Sequence, residues 1–169
     1  MWKVWVFLAP LCPICQDYTF YLNALHEQWD ADEPQQVHMT GWFPNPTVTD
    51  EAIAEFAERY QVEWELARDT VGWSDAVGAR FTQEAVLVSP QGEVVYRGRV
   101  NDLYYALGKH RSTPRSSDLA LAVEQALSGQ SVVPAETDAI GCPIQNRIPY
   151  HRDAGGQRVQ LGEFLQLLD

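Results

Sequence analysis

An apolar run, Val4-Trp5-Val6-Phe7-Leu8-Ala9, leads into Leu11-Cys12-Pro13-Ile14-Cys15-Gln16, and the residues that follow carry helical spacing. A strand that ends in Cys-x-x-Cys and turns into a helix has few folds open to it and a definite chemistry. The first turn of a helix presents unpaired N–H groups and a partial positive charge. A thiolate placed there is stabilised, so its pKa falls and it becomes a usable nucleophile near neutral pH. Pro13 suits the first helical turn, having no N–H to waste and a φ that is already helical. Two intervening residues put the second sulfur one turn away, within reach of a mixed disulfide formed at the first. The residues therefore cast Cys12 as the attacking thiol and Cys15 as the resolving one. A structural disulfide or half of a zinc site are the competing readings, but zinc needs a second Cys or His pair at ligand spacing and the sequence has none.

The rest of the chain alternates strand and helix patterns. Residues 3–9 predict a buried strand, and residues 14–29 a helix with Ile14, Tyr18, Tyr21, Leu22, Leu25 and Trp29 on one face. A strand over 36–43 ends at Pro44-Asn45-Pro46, and Thr49 or Asp50 caps a helix in which Ile53, Phe56, Ala57 and Tyr60 share a face. A strand over 64–68 and a short helix over 73–80 come next. Residues 85–89 and 93–97 flank Pro90-Gln91-Gly92 as a hairpin. Ser116 or Ser117 caps a last clear helix, with Leu119, Ala122, Val123, Ala126 and Leu127 inward and Gly129 at its end. This order predicts an α/β fold with a mixed central sheet and helices on both faces. The domain spans residues 1–129. Residues 130–169 form a C-terminal tail packed on it, with one short helix over 159–168.

Composition narrows the function. The formal charge of −11 argues against a nucleic-acid partner. No apolar run is long enough to span a bilayer. Residues 1–11 hold one Lys and an apolar stretch, but cleavage after them would remove the strand the Cys motif needs, so they are not a signal peptide. Residues 17–69 carry twelve acids and two bases, whereas residues 96–115 carry Arg97, Arg99, Lys109, Arg111 and Arg115 against Asp102 alone. That asymmetry is a polarised solvated surface or a docking patch for an acidic partner, with Tyr104-Tyr105 inside it.

Taken together, the motif order resembles the thioredoxin-like superfamily over roughly residues 3–128. Cys12-Pro13-Ile14, Tyr96-Arg97-Gly98-Arg99 and Gly141-Cys142 are similar to a branch of redoxin domains found beside periplasmic c-type cytochrome modules. The resemblance implies a thiol–disulfide oxidoreductase that needs no cofactor. Its partners would be protein thiols or disulfides, with a c-type cytochrome or another redox protein behind them. It implies a periplasmic or other extracytoplasmic setting, with the signal lying outside these 169 residues; the cytoplasm is the alternative. Pro13, Thr82 and Gln83 are the substrate-binding residues it points to. Such chains place a cis-proline before the strand that faces the Cys pair, and Gln83 of Phe81-Thr82-Gln83-Glu84 occupies that place here. A non-proline cis bond costs about 3–4 kcal/mol, so a trans Thr82–Gln83 bond is expected. That leaves more room at the sulfurs, with Thr82 offering its backbone to a partner and Gln83→Pro restoring the usual grip.

Two rivals share the fold. Sco-type copper-delivery proteins use a Cys pair and a loop His; here residues 79–84 hold no His, and His26, His38, His110 and His151 are scattered, so copper would rely on Cys12, Cys15 and Cys142. A peroxiredoxin-like peroxidase needs Pro and Thr before its Cys, and Trp5 and Ala9 stand in those places. Covalent c-type haem needs His after the second Cys, where Gln16 stands. Cys142 is a buried free thiol, a disulfide partner of Cys12 or Cys15, or a metal ligand. The recurrent Gly-Cys of the resembling domains favours a meeting with the Cys12 region.

Overall fold

The computed structural model describes residues 1–32 and 36–144, and the helix expected over 159–168 lies outside them. Strand β1 (Trp2–Phe7) leads through a short loop to helix α1 (Pro13–Asp32). β2 (Val37–Phe43), α2 (Asp50–Tyr60) and β3 (Glu65–Arg68) follow, then a single helical turn, α3 (Trp73–Ala76). β4 (Ala85–Val88) and β5 (Val94–Gly98) form a hairpin, β6 (Tyr104–Ala106) and β7 (Lys109–His110) a second, and α4 (Asp118–Leu127) comes last. The main sheet runs β3-β2-β1-β4-β5. β1, β2 and β3 are parallel, and β4 and β5 join antiparallel, so the sheet is mixed.

Alternation along β1 explains its central place. Val4 and Val6 join the core that contains α1, α2 and α4, whereas Trp5 and Phe7 join a second core with Trp73, Val77 and Ile144. All four residues are buried, and burial of each such side chain is worth ~1.5–3 kcal/mol, so the strand that carries the Cys motif is firmly anchored. Helices cover both faces unequally. The three longer helices lie on one face, where Val132, Ile140 and Cys142 of the tail also pack, and α3 with Ile144 covers the other.

Local chemistry sets the element ends. Thr49 Oγ1 accepts from the Ala52 amide as the α2 cap. Asp69 is buried, and its carboxylate accepts from the amides of Gly72, Trp73 and Ser74, which fixes α3. α3 stops at Ala76, short of the expected residue 80, because the chain turns at Gly78 with φ +70°. Ser117 is the α4 cap by position, yet its side chain makes no cap bond; the neighbouring Ser116 Oγ donates to Asp118 instead. The β6–β7 hairpin was not expected from the sequence. Its signal is the aromatic pair Tyr104-Tyr105 followed by Gly108 at positive φ.

Residues 130–144 are stitched to the domain by backbone hydrogen bonds. The Arg97 amide donates to the Ala135 carbonyl at 3.0 Å, and the Thr137 amide donates to the Arg97 carbonyl at 3.1 Å. Further on, the Thr82 amide donates to the Cys142 carbonyl at 2.8 Å, and the Ile144 amide to the Arg80 carbonyl at 3.0 Å. Phe81 and Pro143 form an antiparallel bridge between these two bonds. Among the described residues no helix is long and apolar enough to cross a membrane.

Candidate functional site

The site forms where β1 gives way to α1. The Cys12 amide donates to the Ala9 carbonyl, and the Cys12 carbonyl accepts the first helical bond from Gln16. Gln16 Nε2 braces the same loop from the helix side, donating to the Pro10 carbonyl at 2.9 Å. Cys12 therefore stands in the position of a helix cap, and its sulfur accepts from the backbone N–H of Cys15. Pro13 occupies the first helical position and is exposed on the rim of the site. Leu11, almost fully exposed, stands beside it.

Three further groups converge on the Cys12 sulfur. Cys15, wholly buried one turn into α1, is 3.5 Å away. Thr82 Oγ1 donates to Cys12 Sγ at 3.3 Å. Cys142 Sγ, brought in by the tail, is 3.4 Å from Cys12 Sγ. None of the three cysteines is disulfide-bonded.

These contacts set the charge states. The Cys15 thiol hydrogen bond is the largest influence on Cys12, with burial opposing it; the Thr82 hydroxyl, the Cys15 amide and the Cys142 thiol add to it, and the Cys12 pKa falls to about 4. Burial and the neighbouring Cys12 thiolate raise the Cys15 pKa. Cys142 is raised for the same two reasons, burial first. One ionised sulfur is thus held between two protonated ones. Thr82→Val keeps the shape and deletes one donor, so the Cys12 pKa should rise by about one unit, read as ultraviolet thiolate absorbance against pH.

Gln83 does not face the sulfurs. Its side chain is fully buried and donates to the Ile140 carbonyl at 2.5 Å, tying down the tail, while its amide donates to the Phe7 carbonyl. The cis peptide bond among the described residues is Val133–Pro134; Thr82–Gln83 is trans, as expected. Gln83 therefore supports the tail from within, and substrate has no access to it. The Thr82 amide, expected to be open to a partner, is taken by Cys142.

Glu84 and Asp17, which sequence reasoning missed, and Gly141, which it noted only as part of the Gly-Cys pair, complete the arrangement. Glu84 is fully buried, and its Oε2 accepts from the amides of Arg80 and Phe81, shaping the loop that carries Thr82. Gly141 lies against that loop: a Cβ there would stand 2.1 Å from the Thr82 carbonyl oxygen. Asp17, on α1, accepts the hydroxyl hydrogen bond of Tyr104 and so fastens the second hairpin beside the site. A glycine directly before a cysteine was the visible clue for Gly141, whereas Glu84 and Asp17 carry no sequence signal.

The basic stretch is mostly spent on structure. Arg97 pairs with Glu136 at 2.8 Å, Arg99 with Asp118 at 2.8 Å, and Arg111 with Asp102 at 3.2 Å. Trp5 is packed in the second core against Trp42 and Trp73, so the site lacks a peroxide-holding loop at that position. Among the described residues no group of three His, Cys, Asp or Glu side chains is arranged to hold a metal ion.

Two clefts meet at the motif. One, of about 250 Å³, is lined by Leu8, Cys12, Pro44, Thr82, Cys142 and Ile144. The other, of about 420 Å³, runs beside it along Leu11, Val48, Phe56, Arg59 and Tyr60, and the two share Ala9, Leu11 and Asn45.

No protein-family model matches the chain, and no curated protein matches it. Solved structures do. A hypothetical protein from Sinorhizobium meliloti 1021 superposes with a TM-score of 0.72 at 22% identity, covering 85% of this chain and 79% of that one. An uncharacterized conserved protein from Geobacillus kaustophilus gives 0.71 at 19% identity, over 90% and 78%. An uncharacterized thioredoxin-like protein from Porphyromonas gingivalis gives 0.51 at 14%, over 75% and 74%. The fold is thioredoxin-like. In that fold the Cys motif stands at the carboxyl end of a central parallel strand, the end where open α/β sheets carry their sites.

Proposed function

We propose that the protein is a thiol–disulfide oxidoreductase that donates its disulfide to protein thiols, with Cys12 as the exchanging sulfur and Cys15 as its dithiol partner. The observation that carries this is the convergence of Thr82 Oγ1, the Cys142 sulfur and Cys15 within 3.5 Å of Cys12, whose sulfur is buried but lines a cleft. A thiolate that persists down to pH about 4 stabilises the reduced form and makes Cys12 a good leaving group. Both properties favour giving a disulfide away.

In the oxidised form, a substrate thiolate attacks Cys12 Sγ, because Cys15 is wholly buried. The Cys12–Cys15 bond breaks, and Cys15 leaves with the electron pair and takes up a proton, as its raised pKa favours. A second substrate thiol then attacks the substrate sulfur and expels Cys12 as a thiolate. The apolar groove along Leu11, Val48, Phe56 and Tyr60 suits an extended, incompletely folded partner. Such chemistry belongs in an oxidising compartment, which supports the periplasmic setting. The motif resemblance supplies a c-type cytochrome system as the candidate that reoxidises the protein.

Copper is the second reading; it rests on the soft-donor chemistry of Cys12 and the sulfurs of Cys15 and Cys142 beside it, since no three-ligand cage stands preformed among the described residues. A Cu(I) titration of the reduced protein, run beside oxidation of a dithiol peptide by the oxidised protein, separates them. Stoichiometric peptide oxidation, lost in Cys12→Ser, is expected. Tight Cu(I) binding without peptide oxidation would overturn the proposal.

A further inference from the structure

Cys12 has two thiol neighbours at almost the same distance, and they differ in access. Cys15 is fully buried within α1. Cys142 is partly exposed and lines the cleft that opens onto Cys12. Its place is held by backbone pairing on both sides: Thr82 to Cys142, Arg80 to Ile144, and the Phe81–Pro143 bridge. Gly141 permits the close approach, since any side chain there would strike the Thr82 carbonyl. The Gln83 amide group clamps the tail one residue earlier, at Ile140. A disulfide needs ~2.05 Å between sulfurs, so Cys142 need move only about 1.4 Å to bond Cys12.

We propose that Cys142 is a second resolving thiol, which competes with Cys15 for Cys12 when the reduced protein takes up a disulfide. This rests on the dithiol reading above. The Cys12 thiolate attacks an oxidant RSSR, forming Cys12–S–S–R and releasing RS⁻. Cys142 gives up its proton and attacks Cys12 Sγ. The Cys12–Cys142 bond forms, the Cys12–SR bond breaks, and the second RS⁻ leaves and accepts the proton. Two electrons pass from Cys12 and Cys142 to the oxidant. Cys15 then attacks Cys12 and expels Cys142, which moves the disulfide inward with no net redox change.

The test treats each reduced variant with one equivalent of dithiobisnitrobenzoate, so that only intramolecular resolution can release both aromatic thiolates of the reagent. Wild type releases both. Cys15→Ser should also release both, and peptide mapping should find a Cys12–Cys142 link. Cys15→Ser/Cys142→Ser should stop after one and carry the aromatic adduct on Cys12. Adding Gly141→Ala to Cys15→Ser pushes the tail back without removing a thiol, and the second release should slow at least tenfold. A Cys15→Ser protein that stops at one thiolate overturns the proposal, as does a second release whose rate Gly141→Ala leaves unchanged. If wild type itself releases none by way of Cys12, the dithiol reading fails and takes this proposal with it.

Discussion

Cys12→Ser should abolish the rapid alkylation that the reduced protein shows at about pH 6, while Cys15→Ser keeps it. A free cysteine has a pKa of ~8.5, so less than about 1% of it is thiolate at that pH. The Cys12 pKa of about 4 makes it almost fully ionised there. The sign follows from the charge. Above pH 4 the sulfur is an anion and reacts; as the pH falls through 4 it takes a proton and goes silent. The wild-type rate should therefore be flat from about pH 8 down to pH 5 and collapse below it. In Cys15→Ser a donor remains as a hydroxyl, so the plateau should survive with a modest shift. Cys15 is wholly buried and its pKa is raised, which leaves it protonated and out of reach over the same range. Loss of the plateau in Cys15→Ser with its retention in Cys12→Ser would reverse the two roles.

Gln83→Pro should destabilise the fold by several kcal/mol, the opposite of what the family pattern suggests. Gln83 has φ +63°, whereas proline holds φ near −65°. Its amide donates to the Phe7 carbonyl at the end of the central strand, and proline has no donor. An orphaned buried carbonyl costs ~1–3 kcal/mol, and forcing the backbone out of its conformation adds ~1–3 kcal/mol. The substitution also deletes the side-chain bond to Ile140 and so frees the tail. Urea unfolding of the variant should show a clearly lower midpoint, and the Cys142 alkylation rate should rise. An unchanged midpoint with raised oxidoreductase activity would restore the simpler view that this loop waits for a proline. Gln83→Gly, which tolerates positive φ and keeps the amide, isolates the side-chain bond and should cost less.

The contrast between these two positions shows where a sequence speaks and where it is silent. The central strand and the first helix are legible because alternation and i, i+4 spacing are local patterns, and Cys12-Pro13-Ile14-Cys15 announces its chemistry through its distance from a helix start. The mixed sheet follows from the order of the elements. The tail is different. Its contact with the site is made by backbone bonds between residues some sixty positions apart, and main-chain pairing across that span leaves no periodic trace. Gln83 reads as a missing proline, yet its work is to hold Ile140. The arginines of residues 97–111 read as a surface patch because the partners of Arg97 and Arg99, Glu136 and Asp118, come from outside that stretch, and the one acid inside it, Asp102, pairs with Arg111.

The antiparallel pairing of residues 80–82 with 142–144 makes the chain its own competitor. It takes up backbone groups of residues 80–82 with which, under the proposed function, an extended peptide would have to pair, and it sets a cysteine 3.4 Å from Cys12. A tethered segment acts at an effective concentration on the order of millimolar, above that of most proteins in a cell. Under the proposed function, outside peptides would reach these groups only in molecules whose tail had lifted. A tail lifted about 1% of the time weakens every one of them about a hundredfold. Occupancy by the chain itself then filters partners. On that reading, weak generic strand addition would be screened out, and a partner that reacts with the sulfur directly would be rewarded, because covalent capture does not depend on displacing the tail.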